Sequence, residues 1–288
     1  MSAPSLTWNS GSGIPADYHW LHSTHCSLPT NLIEFGTSSM RTLQPKADAF
    51  GREIWAHLKT GYPHEIVERD DGYIDAAAST AGYFAPFSHW PQRQKDAIRL
   101  VRGARALDVG CGAGRIALYL QRKGLRVTAI DNSPLAIKTC RTRGVKHAKV
   151  LSLQQITRFR RDNFDTVVMF GNNFGLFGSY SRARALLRDL HRITATNGLI
   201  LAESIDPYKT TNPFHLNYQQ RNRRQGRMPG QIRIRVRFQG SATPWFDYLF
   251  VSPSEMQDIV AGTGWKVTRI VEDDAVAYIA MIEKVSEG

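Results

Sequence analysis

The chain has 288 residues, 42% of them apolar and 22% charged, the balance of a folded protein and not of a disordered one. Its apolar runs fall short of the roughly 18 residues of a membrane-spanning helix. The first 25 residues carry no basic segment followed by an apolar one, so no secretory leader is expected, and three scattered cysteines (Cys26, Cys111 and Cys140) are too few for a disulfide framework, so a cytoplasmic protein is expected. A formal net charge of +12 points to an acidic partner, nucleic acid above all, or to a solvated surface written in arginine.

Residues 1–45 are weakly patterned and rich in Ser, Thr, Gly and Pro. Within them, 19-HWLHSTHC-26 gathers three histidines and a cysteine. The spacing fits no zinc pattern and no second ligand pair follows, so no metal is expected. In 46–61, Ala47, Phe50, Ile54 and Leu58 recur at spacings of three and four, and Gly61 is a plausible stop, which predicts a helix. The stretch 72–101 sets aromatics among small residues and then starts a helix after Pro91. The chain is accordingly divided into a lead-in or lid, 1–100, and a core, 101–288.

From 105 onward strands and helices alternate. Strands are predicted at 105–109, 126–130, 148–151, 166–170 and 198–204, and helices at 115–123, 134–142 and 180–193. Repeated βα units imply a mostly parallel sheet covered on both faces. A helix over 253–264 and strands at 265–272 and 275–284, turning at Asp273 and Asp274, close it with a hairpin. Between the two parts lies an insert of about 207–250. Here Ile232, Ile234, Val236 and Phe238 alternate with Arg233, Arg235 and Arg237, the mark of a strand with one buried and one wet, basic face. Residues 244–251 are a candidate partner for it. Seven arginines fall between 221 and 237. They suit an anionic polymer, an acidic small molecule, a homodimer contact, or an edge strand protected from pairing by its charge.

The stretch 106-ALDVGCGAGRIALYLQRKGLRVTAIDNSP-134 carries the most chemistry. Gly110, Gly112 and Gly114 form a G-x-G-x-G turn between a strand and a helix, where glycine lets the backbone approach a ligand. The dinucleotide pattern G-x-G-x-x-G would need glycine where Arg115 stands. Asp108 just before the turn would repel a pyrophosphate but suits a ligand carrying an ammonium and a sulfonium. Asp131 ends the second strand, where a carboxylate can take both hydroxyls of a ribose.

On these residues the chain resembles the class I S-adenosylmethionine-dependent methyltransferases, in particular their small-molecule members. The likeness continues through 163-NFDTVVMFGNNFG-175, 197-NGLILAE-203 and the closing hairpin, roughly 100–284. It implies an α/β, Rossmann-like fold with a seven-stranded sheet in the order 3-2-1-4-5-7-6, the last strand antiparallel, here with an N-terminal helical lead-in and a small β insert. It implies S-adenosyl-L-methionine as cofactor and S-adenosyl-L-homocysteine as product. The family's glycine-loop role passes to Gly110, Gly112 and Gly114, with Cys111 as filler in the turn. Its ribose acid falls on Asp131, and its adenine contacts on Asn132, Ser152 and Leu153. Phe170, Gly171 and Asn172 would line the methionine part, and Tyr83 would lie over the donor. One departure stands out: 149-KVLSLQQI-156 has none of the acid that many members place there to hold the adenine amine.

Transfer to an oxygen or nitrogen of a small molecule is the function expected. A methyl sulfonium is already activated, so proximity and alignment do much of the work. A base is needed only where the acceptor holds its proton at neutral pH. His89, His215, Tyr218 and Glu203 are the candidates for that task, with Asp206 at the same strand end as Glu203. In 171-GNNFG-175, Asn172 or Asn173 either holds a ligand or caps the loop. RNA or protein methylation through the basic insert is the second expectation, and a donor-binding regulatory subunit the third.

Overall fold

The computed structural model describes residues 42–61, 66–76 and 79–285; the histidine stretch 19–26 lies outside them. The lead-in supplies α1 (Ala49–Thr60), β1 (Ile66–Arg69), β2 (Ile74–Asp75), α2 (Ala81–Phe84) and α3 (Gln92–Ile98). The core then runs β3 (Arg105–Val109), α4 (Arg115–Arg122), β4 (Arg126–Asp131), α5 (Pro134–Thr142), β5 (Ala148–Val150), β6 (Phe164–Met169), α6 (Tyr180–Ile193) and β7 (Thr194–Ile205). The insert is α7 (Pro213–Arg224), β8 (Gln231–Phe238), β9 (Ser241–Ala242) and β10 (Phe246–Leu249). The chain closes with α8 (Pro253–Val260), β11 (Trp265–Glu272) and β12 (Ala277–Lys284).

The helix ends follow local chemistry. Asp48 caps α1 by accepting from Gly51 N, and Gly61, at φ 72°, ends it with its N–H on the His57 carbonyl. Ser133 caps α5 ahead of Pro134, and Ser252 with Glu255 makes a capping box for α8.

Seven strands form one sheet in the order β11-β12-β7-β6-β3-β4-β5. β5, β4, β3, β6 and β7 are parallel neighbours, whereas β12 runs antiparallel to both β7 and β11. That is the expected order, with the last strand reversed. The strands read as nearly unbroken apolar runs because both faces are buried. Their alternation splits each run between two cores. Leu107, Val109, Val167, Met169, Ile200 and Ala202 face one side, with Leu187 and Leu190 of α6 and Met256 of α8. Ala106, Val168, Leu199 and Leu201 face the other, with Ala97 of α3, Ile116 and Leu120 of α4 and Ile137 of α5. Each fully buried aliphatic side chain contributes about 1.5–3 kcal/mol relative to exposure.

The second sheet has the order β10-β8-β1-β2, with β9 attached to β8. This corrects the expectation of a charge-protected edge strand at 231–238. β8 is interior, paired antiparallel with β1 from the lead-in (Glu68 opposite Arg235) and with β10 (Asp247 opposite Arg233). Alternation marks a wet face but carries no information about edges. The wet face tolerates neighbours because Glu68 and Asp247 bring opposite charge to it. Lead-in and insert thus share one sheet, whose buried Ile234 and Val236 lie on the strand that packs against α1.

Candidate functional site

The turn between β3 and α4 sits at the carboxyl edge of the large sheet, where the strand order reverses between β3 and β6, the usual place for a ligand in such folds. Gly110 and Cys111 donate to the Ile130 carbonyl at 2.9 and 3.1 Å, tying the turn to β4. All three glycines have positive φ (68°, 52° and 78°) and each faces a different neighbour. A Cβ on Gly110 would meet Asn173 Nδ2 at 2.6 Å, and one on Gly114 would meet Val145 Cγ2 at 2.8 Å and Cys140 Sγ at 2.9 Å. At Gly112 the nearest atom would be Tyr83 Cδ1, at 3.2 Å. Tyr83 therefore lies against the turn, with its ring edge-on to Phe50 of α1 at 5.5 Å.

Two buried carboxylates flank the turn. Asp131 accepts from Gly112 N at 3.0 Å and from Ser133 N at 2.9 Å, and burial pushes its pKa up to about 6. Asp108 accepts from Ala117 N at 3.2 Å, in the first turn of α4; burial pushes it up to about 7, against the pull of that N–H and of the Arg115 charge. At both, desolvation outweighs the N–H groups that reach them.

The other residues expected at the donor lie along the same edge. The Asn132 carbonyl accepts from Leu43 N at 3.0 Å. Ser152 caps a 3-10 turn over Leu153–Arg158, and Leu153 joins the core. Phe170 is buried below Gly171, whose N–H reaches Glu203 Oε2 at 2.6 Å. Asn172, at φ 62°, gives its carbonyl to the Tyr248 hydroxyl at 2.6 Å. Cys111 Sγ lies 3.6 Å from Cys140 Sγ; that contact and burial raise the Cys111 thiol well above its ordinary value, so it stays protonated.

Sequence reasoning missed one residue that shapes the site and left another undecided. Asp48 is fully buried and joins α1 to α5, accepting from Gly51 N at 3.0 Å, Ser133 Oγ at 2.9 Å and Leu135 N at 3.1 Å. An acid before a predicted helix signals a cap, but nothing local announces the second helix. Asn173, left open between ligand and loop, donates to the Val109 and Gly110 carbonyls at 2.8 and 2.9 Å and fastens the loop after β6 to the glycine turn.

The four candidate bases are not gathered in one place. Glu203 accepts from Arg93 Nε at 2.8 Å, Gln94 Nε2 at 2.7 Å and Gly171 N, filling both oxygens. His89 is exposed, with Nδ1 3.1 Å from the Ser88 hydroxyl. His215 Nδ1 lies 2.9 Å from Arg69 Nη1. A guanidinium only donates, so Nδ1 accepts and the proton of the neutral ring sits on Nε2. Burial, then the Arg69 charge, holds the ring's pKa low. The Tyr218 hydroxyl donates to Asp70 at 2.6 Å, and burial with that bond pushes its pKa up to about 12. His215 and Tyr218 thus belong to a network under α7, in which Arg69 is also paired with Asp71 at 2.8 Å.

The arginines of the insert are largely matched. Arg235 and Arg237 meet Glu68 at 2.8 and 3.2 Å, Arg233 and Arg227 meet Asp247 at 3.4 and 3.8 Å, and Arg221 meets Asp70 at 2.9 Å. Among the described residues no cluster of three or more His, Cys, Asp or Glu could hold a metal ion, and no helix is long and apolar enough to cross a membrane.

Residues 107–202 match the family model described as a methyltransferase domain. A SAM-dependent methyltransferase of Bacteroides fragilis, solved with S-adenosyl-L-homocysteine, is similar at 26% identity and a TM-score of 0.72, over 86% of this chain and 100% of that one. The ubiquinone biosynthesis O-methyltransferase of Xylella fastidiosa (strain 9a5c) is 42% identical over 81 residues, 24% of this chain and 32% of that protein. A putative methyltransferase of Geobacillus is 27% identical over 136 residues, 45% of this chain and 55% of its own length. The chain thus spans about a third of the length of the ubiquinone enzyme it matches, 32%.

Proposed function

We propose that the chain is a class I S-adenosylmethionine-dependent methyltransferase that moves a methyl group from S-adenosyl-L-methionine to an oxygen or nitrogen of a small molecule by in-line displacement, a reading supported by the methyltransferase-domain match over 107–202 and the likeness to a SAM-dependent methyltransferase structure. The observation that carries the proposal is the glycine turn set between Asp108 and Asp131, with Tyr83 of the lead-in laid against Gly112. The residues fit the donor chemically. Asp131 is placed to take ribose hydroxyls, and Asp108 stands on the side of an ammonium. The positive-φ glycines leave backbone where side chains would stand. When bound, the donor supplies a methyl group on a sulfonium, which needs no metal or redox partner.

The lead-in acts as the lid, and the insert as a cap braced on the loop after β6 through Tyr248 and Asn172. A small acceptor suits a site bordered by lead-in, insert and core. The similarity to an O-methyltransferase of ubiquinone biosynthesis supports the same reading. The ion pairs along β8 neutralise much of the stripe that favoured a nucleic acid. Catalysis rests on proximity and alignment, since Glu203, His215 and Tyr218 already spend their lone pairs or protons on neighbours.

Titration calorimetry with S-adenosyl-L-homocysteine and a methyl-labelled transfer assay over a panel of phenols, catechols and amines test the proposal. Saturable binding of S-adenosyl-L-homocysteine and label on one acceptor class are expected. No binding at millimolar ligand would refute it; transfer only to RNA would replace the small acceptor.

A further inference from the structure

Three arginines gather around one carboxylate where the insert meets the core. Asp247, on β10, accepts from Arg233 Nη1 at 3.4 Å and has Arg227 Nη2 at 3.8 Å from the same oxygen. Arg182, in the first turn of α6, completes the group. A Cβ on Gly178 would lie 3.2 Å from Arg182 Nη1 and 3.4 Å from Asp247 Cβ, so the guanidinium and the stem of the acid flank one point. The three arginines come from separate segments: the start of α6, the link between α7 and β8, and β8 itself.

Three cations here share one anion. Among the described residues Arg182 makes no ion pair and no side-chain hydrogen bond, and its Nη2 is shut off from water without an acceptor. Arg227 reaches Asp247 only at the longer distance, and its Nε is likewise shut off without an acceptor. A guanidinium carries five donors, and withdrawing them from water costs stability unless an anion or acceptors replace it. The side chains of Arg227 and Arg233 keep 24% and 40% of their exposure, which leaves the cluster open to a solute. One fork saturates the two oxygens of a carboxylate. Forks arriving from three segments suit an oxyanion with three or more oxygens, such as a phosphate group.

We propose that Arg182, Arg227 and Arg233 form a binding site for the phosphate group of a small molecule or for free phosphate, apart from the donor turn. An anion there ties α6 of the core to β8 and β10 of the insert. Tyr248, the residue after Asp247, already braces the loop after β6 through the Asn172 carbonyl. Successive strand residues point to opposite faces, so the anion holds β10 from the face that Tyr248 leaves.

The test titrates inorganic phosphate and glycerol 3-phosphate into the full chain by calorimetry, with ionic strength held constant by sodium chloride. The wild type is expected to bind at least one of them saturably, with Kd about 1 mM or tighter. Arg182→Gln and Arg227→Gln should each weaken that binding by on the order of tenfold. Arg99→Gln removes the same charge from an exposed arginine at the end of α3 and should change it by less than about twofold. Binding of inorganic phosphate alone supports a site for the free ion, whereas equal or tighter binding of the ester supports a phosphorylated molecule. No saturable binding of either ligand by the wild type at about 20 mM overturns the proposal, and that measurement needs no variant to fold. Unchanged affinity in both Arg182→Gln and Arg227→Gln overturns it as well. So does equal weakening in all three variants, since net charge would then account for the binding.

Discussion

Replacing Gly114 by alanine separates the structural from the ligand-facing part of the donor turn. Gly114 has φ 78°, so an L-residue there pays about 1–2 kcal/mol for the left-handed conformation. The added Cβ would stand 2.8 Å from Val145 Cγ2 and 2.9 Å from Cys140 Sγ, inside ordinary van der Waals distance of two buried side chains. Overpacking of that kind costs about 1–3 kcal/mol. The sum is about 2–5 kcal/mol, which lowers Tm by on the order of 5–15 °C in a domain of this size. Gly112→Ala is the control. Its φ of 52° carries the same backbone cost, but its Cβ would come closest to the edge of the Tyr83 ring at 3.2 Å, with Ile54 Cδ1 at an ordinary 3.7 Å. It should cost about 1–2 kcal/mol. Thermal and urea unfolding followed by circular dichroism measure both. A Gly114→Ala melting point within about 2 °C of the wild type or of Gly112→Ala would refute the close-packing argument.

Asp48→Ala removes a buried acceptor of three hydrogen bonds that joins α1 to α5, and a loss of about 2–4 kcal/mol in urea unfolding is expected; an unchanged midpoint would contradict that bridging role. Asp131→Ala should weaken S-adenosyl-L-homocysteine binding in calorimetry by on the order of tenfold or more while the chain stays folded, and unchanged affinity would remove Asp131 from the donor site. Asp108, raised to about 7 by burial, binds a proton in the folded state that the unfolded chain has already released above about pH 4. The folded state holds more protons across that window, so this group's contribution to stability falls as pH rises from about 4 to about 7. Relative to Asp108→Asn, the ligand-free wild type should therefore lose a few kcal/mol over that range, on the order of 1.4 kcal/mol for each pH unit crossed; parallel stability curves for the two proteins would exclude it. Glu68→Gln releases Arg235 and Arg237 from a mostly surface pairing, so stability should change by less than about 1 kcal/mol while the charge of that face becomes more positive. A salt-sensitive gain in retention of single-stranded RNA should follow, and a drop in retention would argue that Glu68 orders a polymer site.

Local signals in the sequence determined much of this protein. Apolar runs between βα turns set out the large sheet. Gly61 marked a helix end, and the glycines before Arg115 with Asp131 marked the turn. Each acts within a few residues, through allowed φ, side-chain period or a cap. Only the tertiary structure decided the rest. β1 and β8 lie more than a hundred residues apart and pair in the folded chain, with β8 packed on α1, so the arginine stripe meets Glu68 and Asp247 inside a sheet, away from its edge. Residue type gives His215, Tyr218 and Glu203 the capacity to move a proton. Whether a lone pair is free depends on what the fold sets against it, here Arg69, Asp70 and the trio of Arg93, Gln94 and Gly171. Asp48 follows the same rule: its capping of α1 is local, but its hold on Ser133 exists only because two distant helix ends were brought within hydrogen-bond reach.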